Sequence, residues 1–184
     1  MALIEFLNNI PSIPEELLTY DIKNIINSPN KFGGRVPHAG TAGKGIYSTH
    51  DVSDELYSFL RSHFGDNIEV RYQLFKSQIP VHIDAHVLSG VTHVYNYVLL
   101  PGGENIKTRH WKVPDEEKLI YLKNRPRTVI WGDELNNEQL LNEIILPTKR
   151  WHKLAVNMPH DISKIDSPRL GITVFNRNGI GSYV

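Results

Sequence analysis

The chain has 184 residues, 40% of them hydrophobic, which is enough for one buried core and too few for two ordinary domains. Lysine plus arginine and aspartate plus glutamate stand at 20 each, which disfavours nucleic acid and anionic membrane surfaces as partners. Cysteine is absent, excluding disulfides, thiolate metal sites and cysteine nucleophiles, so any metal must be held by histidine and carboxylate. Residues 1–13 carry no basic leader and no apolar run reaches membrane-spanning length, so a soluble, cytoplasmic protein with no membrane partner is expected.

One domain over 1–184 is expected, with helical support in 1–67 and a β core in 68–176. Pro14-Glu15-Glu16 followed by Leu17, Leu18, Ile22, Ile25 and Ile26 predicts a first helix that ends near Asn27-Ser28-Pro29. Residues 32–48 are rich in glycine and contain Gly43-Lys44. They are no phosphate-binding loop, because Gly45 follows the lysine and His38 replaces the first glycine. A mobile or substrate-covering loop is expected there instead. Ser53 to Phe64, with an N-cap serine and apolar Leu56, Phe59 and Leu60, predicts a second helix stopped at Gly65.

From Ile68 onward, short runs of Val, Ile, Tyr, Thr and Trp alternate with Pro, Gly and Asn, which predicts strands at 68–75, 79–84, 91–100, 106–112, 127–132, 151–157 and 169–176. Helices are predicted at 115–124 and 137–145 from charged and apolar residues at helical spacing. Many short strands after two helices predict a mainly β, jelly-roll-like barrel supported by N-terminal helices.

His82 and Asp84 are two residues apart, so on a strand both side chains point to one face and can converge on one metal. Later in the chain come His152, after Trp151 at the head of an apolar run, and Arg169, at the head of the last strand. Taken in order, His82, Asp84, His152 and Arg169 resemble the 2-oxoglutarate- and iron(II)-dependent dioxygenases of the double-stranded β-helix (cupin-like) fold, over roughly residues 68–176. The resemblance implies that two histidines and one carboxylate hold Fe(II), leaving positions for 2-oxoglutarate and O₂. It implies that Arg169 pairs with the far carboxylate of 2-oxoglutarate. Asn96 and Tyr72 (ten residues before His82) match further cosubstrate positions of that family, and Thr173 shares a face with Arg169, so its hydroxyl is expected to join the same anion site. It implies oxidative decarboxylation to succinate and CO₂ with hydroxylation of a C–H bond in a peptidyl, amino-acid or small-metabolite substrate.

His160, in the segment between the last two predicted strands, is a second candidate for the third ligand. His152 is preferred because it opens a β-type run, whereas His160 follows a proline in a predicted loop. His86 is read as a nonligand, and His93 and His110 as hydrogen-bonded strand residues. Trp111, Trp131 and Trp151 are read as core, and Tyr95 and Tyr97 as packing under the helices. The 32–48 loop and the 101–115 segment are where substrate contacts are expected. Two alternatives stand beside the oxygenase: a cupin-like metalloenzyme that does not use 2-oxoglutarate, and a noncatalytic β-barrel binding protein.

Overall fold

The computed structural model describes residues 2–27, 47–76, 78–83, 92–112, 119–122, 125–131 and 137–176. In chain order the elements are β1 (Ile4–Phe6), α1 (Glu15–Asn27), β2 (Tyr47–His50), α2 (Asp54–Phe64), β3 (Ile68–Phe75), β4 (Ile79–Ile83), β5 (His93–Pro101), β6 (Lys107–Trp111), β7 (Leu119–Leu122), β8 (Arg125–Trp131), β9 (Leu140–Ile145), β10 (Trp151–Ala155), β11 (His160–Ile162) and β12 (Arg169–Asn176). Among the described residues no helix is long and apolar enough to cross a membrane.

The strands form two antiparallel sheets, ordered β1-β10-β5-β12-β3-β2 (sheet A) and β7-β8-β4-β11-β6-β9 (sheet B). Setting aside the edge strands β1 and β2 and the β7–β8 hairpin, eight strands remain, four in each sheet. Their orders, β10-β5-β12-β3 facing β4-β11-β6-β9, are those of a jelly roll, so the fold is mainly β and of the double-stranded β-helix type.

Strand alternation gives sheet A two chemically distinct faces. On the outer face, Val70, Tyr72 and Leu74 of β3, Tyr97 and Leu99 of β5, Trp151 of β10 and Leu170, Ile172 and Val174 of β12 form one buried cluster with Leu18 and Ile25 of α1 and Leu56, Leu60 and Phe64 of α2. The Trp151 ring lies 4.9 Å from Tyr97 and meets Phe64 edge-on at 4.9 Å, and its indole N–H donates to the Pro11 carbonyl. The Tyr97 hydroxyl accepts from the Ile13 amide. Every polar handle of these aromatics thus has a partner, which is why they can be buried. The Ser53 hydroxyl accepts from the Leu56 amide and caps α2 as expected. Gly65, at φ 94°, ends that helix in a backbone region that favours glycine.

Several boundaries differ from the sequence expectation. Residues 140–145 are a strand, not a helix, and pair with β6 (Thr108 opposite Ile144, His110 opposite Asn142). The doublets Leu140-Leu141 and Ile144-Ile145 suit a helical stripe, but they also suit an edge strand, and pairing with β6 decides between them. A short 3₁₀ turn at Asn137–Gln139 precedes the strand. Leu119–Leu122 is likewise a strand, pairing with β8; residues 115–118 and 123–124 lie outside the described residues. His160 is not in a loop but opens β11. The glycine-rich stretch falls outside the described residues up to 46, and Tyr47–His50 forms β2 beside β3.

Candidate active site between the two sheets

Across the inner face of sheet A, His152 of β10 stands opposite Asn96 of β5, and Asn96 stands opposite Thr173 of β12. Residues opposed in antiparallel pairs share a face, so these three form one polar row. The Thr173 Oγ1 lies 2.6 Å from Asn96 Oδ1 and 2.7 Å from Gln73 Oε1. A hydroxyl has one proton, so Thr173 donates to one of these amides and accepts from the NH₂ of the other, turned about. Arg169 begins the same strand and is 5% exposed. Its guanidinium donates to the Pro101 carbonyl at 3.2 Å, and no carboxylate among the described residues pairs with it. Burial without an ion pair lowers its pKa to about 10.

Gly102 holds this arginine from behind. At φ 90° it occupies a turn that favours glycine, and a Cβ there would lie 2.9 Å from the Arg169 Cβ. Its carbonyl accepts from the Asp166 and Ser167 amides, which ties the β11–β12 connection to the β5–β6 turn.

Sheet B presents a row of histidines. His82 of β4 stands opposite His160 of β11, which in turn stands opposite His110 of β6. The His82 and His160 rings are 4.4 Å apart, centroid to centroid, and those of His160 and His110 are 6.0 Å apart. His110 is fully buried, and its Nε2 lies 3.0 Å from the Ala155 carbonyl of sheet A, which shows that this row faces the interior. A carbonyl can only accept, so His110 Nε2 carries the proton and Nδ1 the lone pair. His110 is held neutral mainly by burial, opposed by the Ala155 bond and the Asp161 charge. His160 Nδ1 donates to the Met158 carbonyl at 2.8 Å, which places its lone pair on Nε2.

A clamp on the outer face of sheet B fixes His160 in place. The neighbouring Asp161, 2% exposed, accepts two bonds from the Arg109 guanidinium and one at 3.1 Å from the Trp111 indole, while the Arg109 guanidinium lies over the Trp111 ring at 4.9 Å.

The sites predicted from sequence separate accordingly. His82 sits on the inner face of sheet B, and Asp84 and His86 lie outside the described residues. His152 is corrected: it belongs to the opposite sheet, and the histidine placed against His82 is His160. The strand pairing decides this, because β11 and not β10 is hydrogen-bonded to β4. Tyr72 is also corrected, since it opposes Ile172 on the outer face and packs within the helix-facing cluster, away from Asn96 and Thr173. Arg169, Asn96 and Thr173 lie on the inner face of sheet A. His93 contacts the Thr92 hydroxyl as expected of a hydrogen-bonded strand residue, but His110 Nδ1 has no partner. Among the described residues no three histidine or carboxylate side chains are grouped to hold a metal.

Sequence reasoning missed His110, Gln73, Thr108 and the Asp161 clamp. The alternation Thr108-x-His110 was the available signal. Among the described residues, Thr108 Oγ1, His110 Nδ1 and both ring nitrogens of His152 are buried without a hydrogen-bond partner. Each such group costs roughly 1–3 kcal/mol, so their concentration between the sheets marks a binding interior rather than a packing core. Apolar clusters border it: Phe75, Ile79, Ile106 and Ile165 on the side of Arg169, and Val94, Leu154, Val156 and Phe175 on the other.

No family model and no curated protein matches the sequence. Solved structures that resemble the fold include hydroquinone 1,2-dioxygenase from Sphingomonas sp. TTNP3 with 4-hydroxybenzoate bound (TM-score 0.40, 12% identity, 64% of this chain and 62% of that one). They also include oxalate oxidase in complex with the substrate analogue glycolate (0.40, 11%, 84% and 63%) and the oxalate decarboxylase formate complex of Lactobacillus farciminis (0.38, 8%, 77% and 31%). The chain spans less than two thirds of the length of each. Likenesses this loose leave the fold resting on the strand order and register themselves.

Proposed function

We propose that this protein is a non-haem Fe(II)- and 2-oxoglutarate-dependent dioxygenase that hydroxylates a C–H bond of a peptidyl, amino-acid or small-metabolite substrate. His82, Asp84 and His160 hold the metal, and Arg169 holds the far carboxylate of 2-oxoglutarate. The observation that carries this reading is the register of β4 and β11. It sets His160 beside His82 on an inner face, with the His160 Nδ1–H donated to a backbone carbonyl and the ring lone pair therefore on Nε2. Asp84 follows His82 by two residues and supplies the carboxylate of a two-histidine, one-carboxylate set.

Bound there, Fe(II) would supply O₂ activation coupled to conversion of 2-oxoglutarate to succinate and CO₂. The chain's own groups set the conditions for it. His160 is kept in one tautomer by Met158 and in one position by the Asp161 clamp. Arg169, buried and without a carboxylate partner among the described residues, offers a two-pronged cation to an anionic oxygen pair. Thr173 and Asn96 place a hydroxyl and an amide on the same wall, and the two apolar clusters limit water entry.

Purified protein given Fe(II), 2-oxoglutarate and O₂ is expected to form succinate, and the anaerobic complex to show a weak visible charge-transfer band. His160→Ala should abolish both. Succinate formation undiminished in His160→Ala would sink the ligand assignment. Metal-dependent turnover that survives Arg169→Ala without succinate would move the protein to a metalloenzyme that does not use 2-oxoglutarate.

A further inference from the structure

His152 has no task in the metal centre proposed above, and its surroundings do not suit a packing role. It is fully buried on the inner face of sheet A, between Asn96 of β5 and Phe6 of the edge strand β1, whose ring meets it edge-on at 6.5 Å. Among the described residues neither ring nitrogen has a hydrogen-bond partner of good geometry, although the Arg150 carbonyl lies near enough to favour the protonated ring. A neutral imidazole always carries one N–H and one lone pair, so leaving both buried and unpaired costs more than a leucine or phenylalanine would at the same place. The charge of Arg169 reaches this ring, and Arg169 itself lacks a carboxylate partner among the described residues. A neutral donor and a buried cation on one wall suit a ligand with several anionic oxygens.

We infer that His152 is a ligand-binding residue whose ring N–H donates to an oxygen of the organic acid that Arg169 holds. The inference rests on the acid site of the proposed function and deepens it. Because burial keeps the ring uncharged, His152 adds direction without a second positive charge. The interior then favours an acid whose oxygens reach both groups over one that satisfies Arg169 alone.

Calorimetric titration of the Zn(II)-loaded protein with 2-oxoglutarate tests this without turnover. His152→Leu and His152→Phe are expected to weaken 2-oxoglutarate binding about tenfold, the loss of one buried hydrogen bond. The same variants are expected to raise the melting temperature of the ligand-free protein, since two orphaned nitrogens leave the interior. His152→Gln keeps a donor near the Nε2 position and should retain most of the affinity. In ¹⁵N-histidine spectra, the ring signal missing from the Gln variant should shift when wild type is saturated with 2-oxoglutarate. A packing histidine behaves in the opposite way: lower melting temperature in the Leu and Phe variants, affinity within twofold and an unmoved ring signal, any of which overturns the inference. Arg169→Met separates the two levels. If it leaves 2-oxoglutarate binding intact, the acid site itself is wrong. If it removes binding while His152→Leu binds like wild type, only the role of His152 falls.

Discussion

The two faces of sheet A are built from the same strands, residue by residue in alternation, and they obey opposite rules. Trp151, Tyr97, Ile172 and Leu170 point to the helices; His152, Asn96, Thr173 and Arg169 point to sheet B. On the outer face the Tyr97 hydroxyl and the Trp151 indole N–H each have a backbone partner, within a cluster that is mostly hydrocarbon. The inner face keeps a cation without a carboxylate partner, and an imidazole without a hydrogen-bond partner, among the described residues. One face is what holds the jelly roll together, and the other is tolerated because that stability is supplied elsewhere.

The largest way to break the comparison is Trp151→Ala. It removes a ring packed between Tyr97 and Phe64 and should cost about 3–5 kcal/mol of stability in urea denaturation. Where the variant remains folded, acid affinity should be close to wild type. A large specific loss of 2-oxoglutarate binding there would mean that the two faces are not separate.

A second test uses pH. Burial, reinforced by the charge of Arg169 and opposed by the Arg150 carbonyl, lowers the His152 pKa from 6.5 to about 4. Between those values the unfolded chain binds the proton and the folded chain does not, so stability rises with pH and is lost as pH falls from 6.5 towards 4. The full swing is roughly 3 kcal/mol. Melting temperatures across this range should decline steeply in wild type and less steeply in His152→Phe. Parallel curves would show that His152 is not the buried neutral group described.

The smallest effect is expected from Gly102→Ala, which places a Cβ against the Arg169 Cβ at a positive φ. A loss of about 1–3 kcal/mol is expected. It should be accompanied by weaker 2-oxoglutarate binding, because the turn that moves is the one behind the arginine. Unchanged affinity would leave Gly102 a turn residue only.

Much of this architecture was legible in the sequence. Strands 68–75 and 169–176 run as expected, the Ser53 cap and the stop at Gly65 are in place, and the two-residue alternation of β3 already groups Ile68, Val70, Tyr72 and Leu74 on one apolar face. That same alternation opposes a cosubstrate role for Tyr72. The third histidine was harder to assign. A strand of three residues, His160-Asp161-Ile162, following Pro159 carries no periodicity to detect. β10 belongs to sheet A and β11 to sheet B, so a reading that passes over the three-residue β11 keeps His152, at the head of a legible strand, and places His160 in a loop. Arg169, Asn96 and Thr173 sit on long strands whose alternation can be read locally, and all three lie on the inner face of sheet A. The Asp161 clamp could not be foreseen, since Arg109 and Trp111 reach it only through pairing across fifty residues of chain.

The central claim is that the metal belongs to sheet B, held by His82, Asp84 and His160, while His152 belongs to the acid. Mn(II) affinity measured by electron paramagnetic resonance on His160→Ala and His152→Ala tests it most directly. The account predicts that His160→Ala loses the bound Mn(II) signal and that His152→Ala binds Mn(II) as wild type does; retention in His160→Ala with loss in His152→Ala would contradict it.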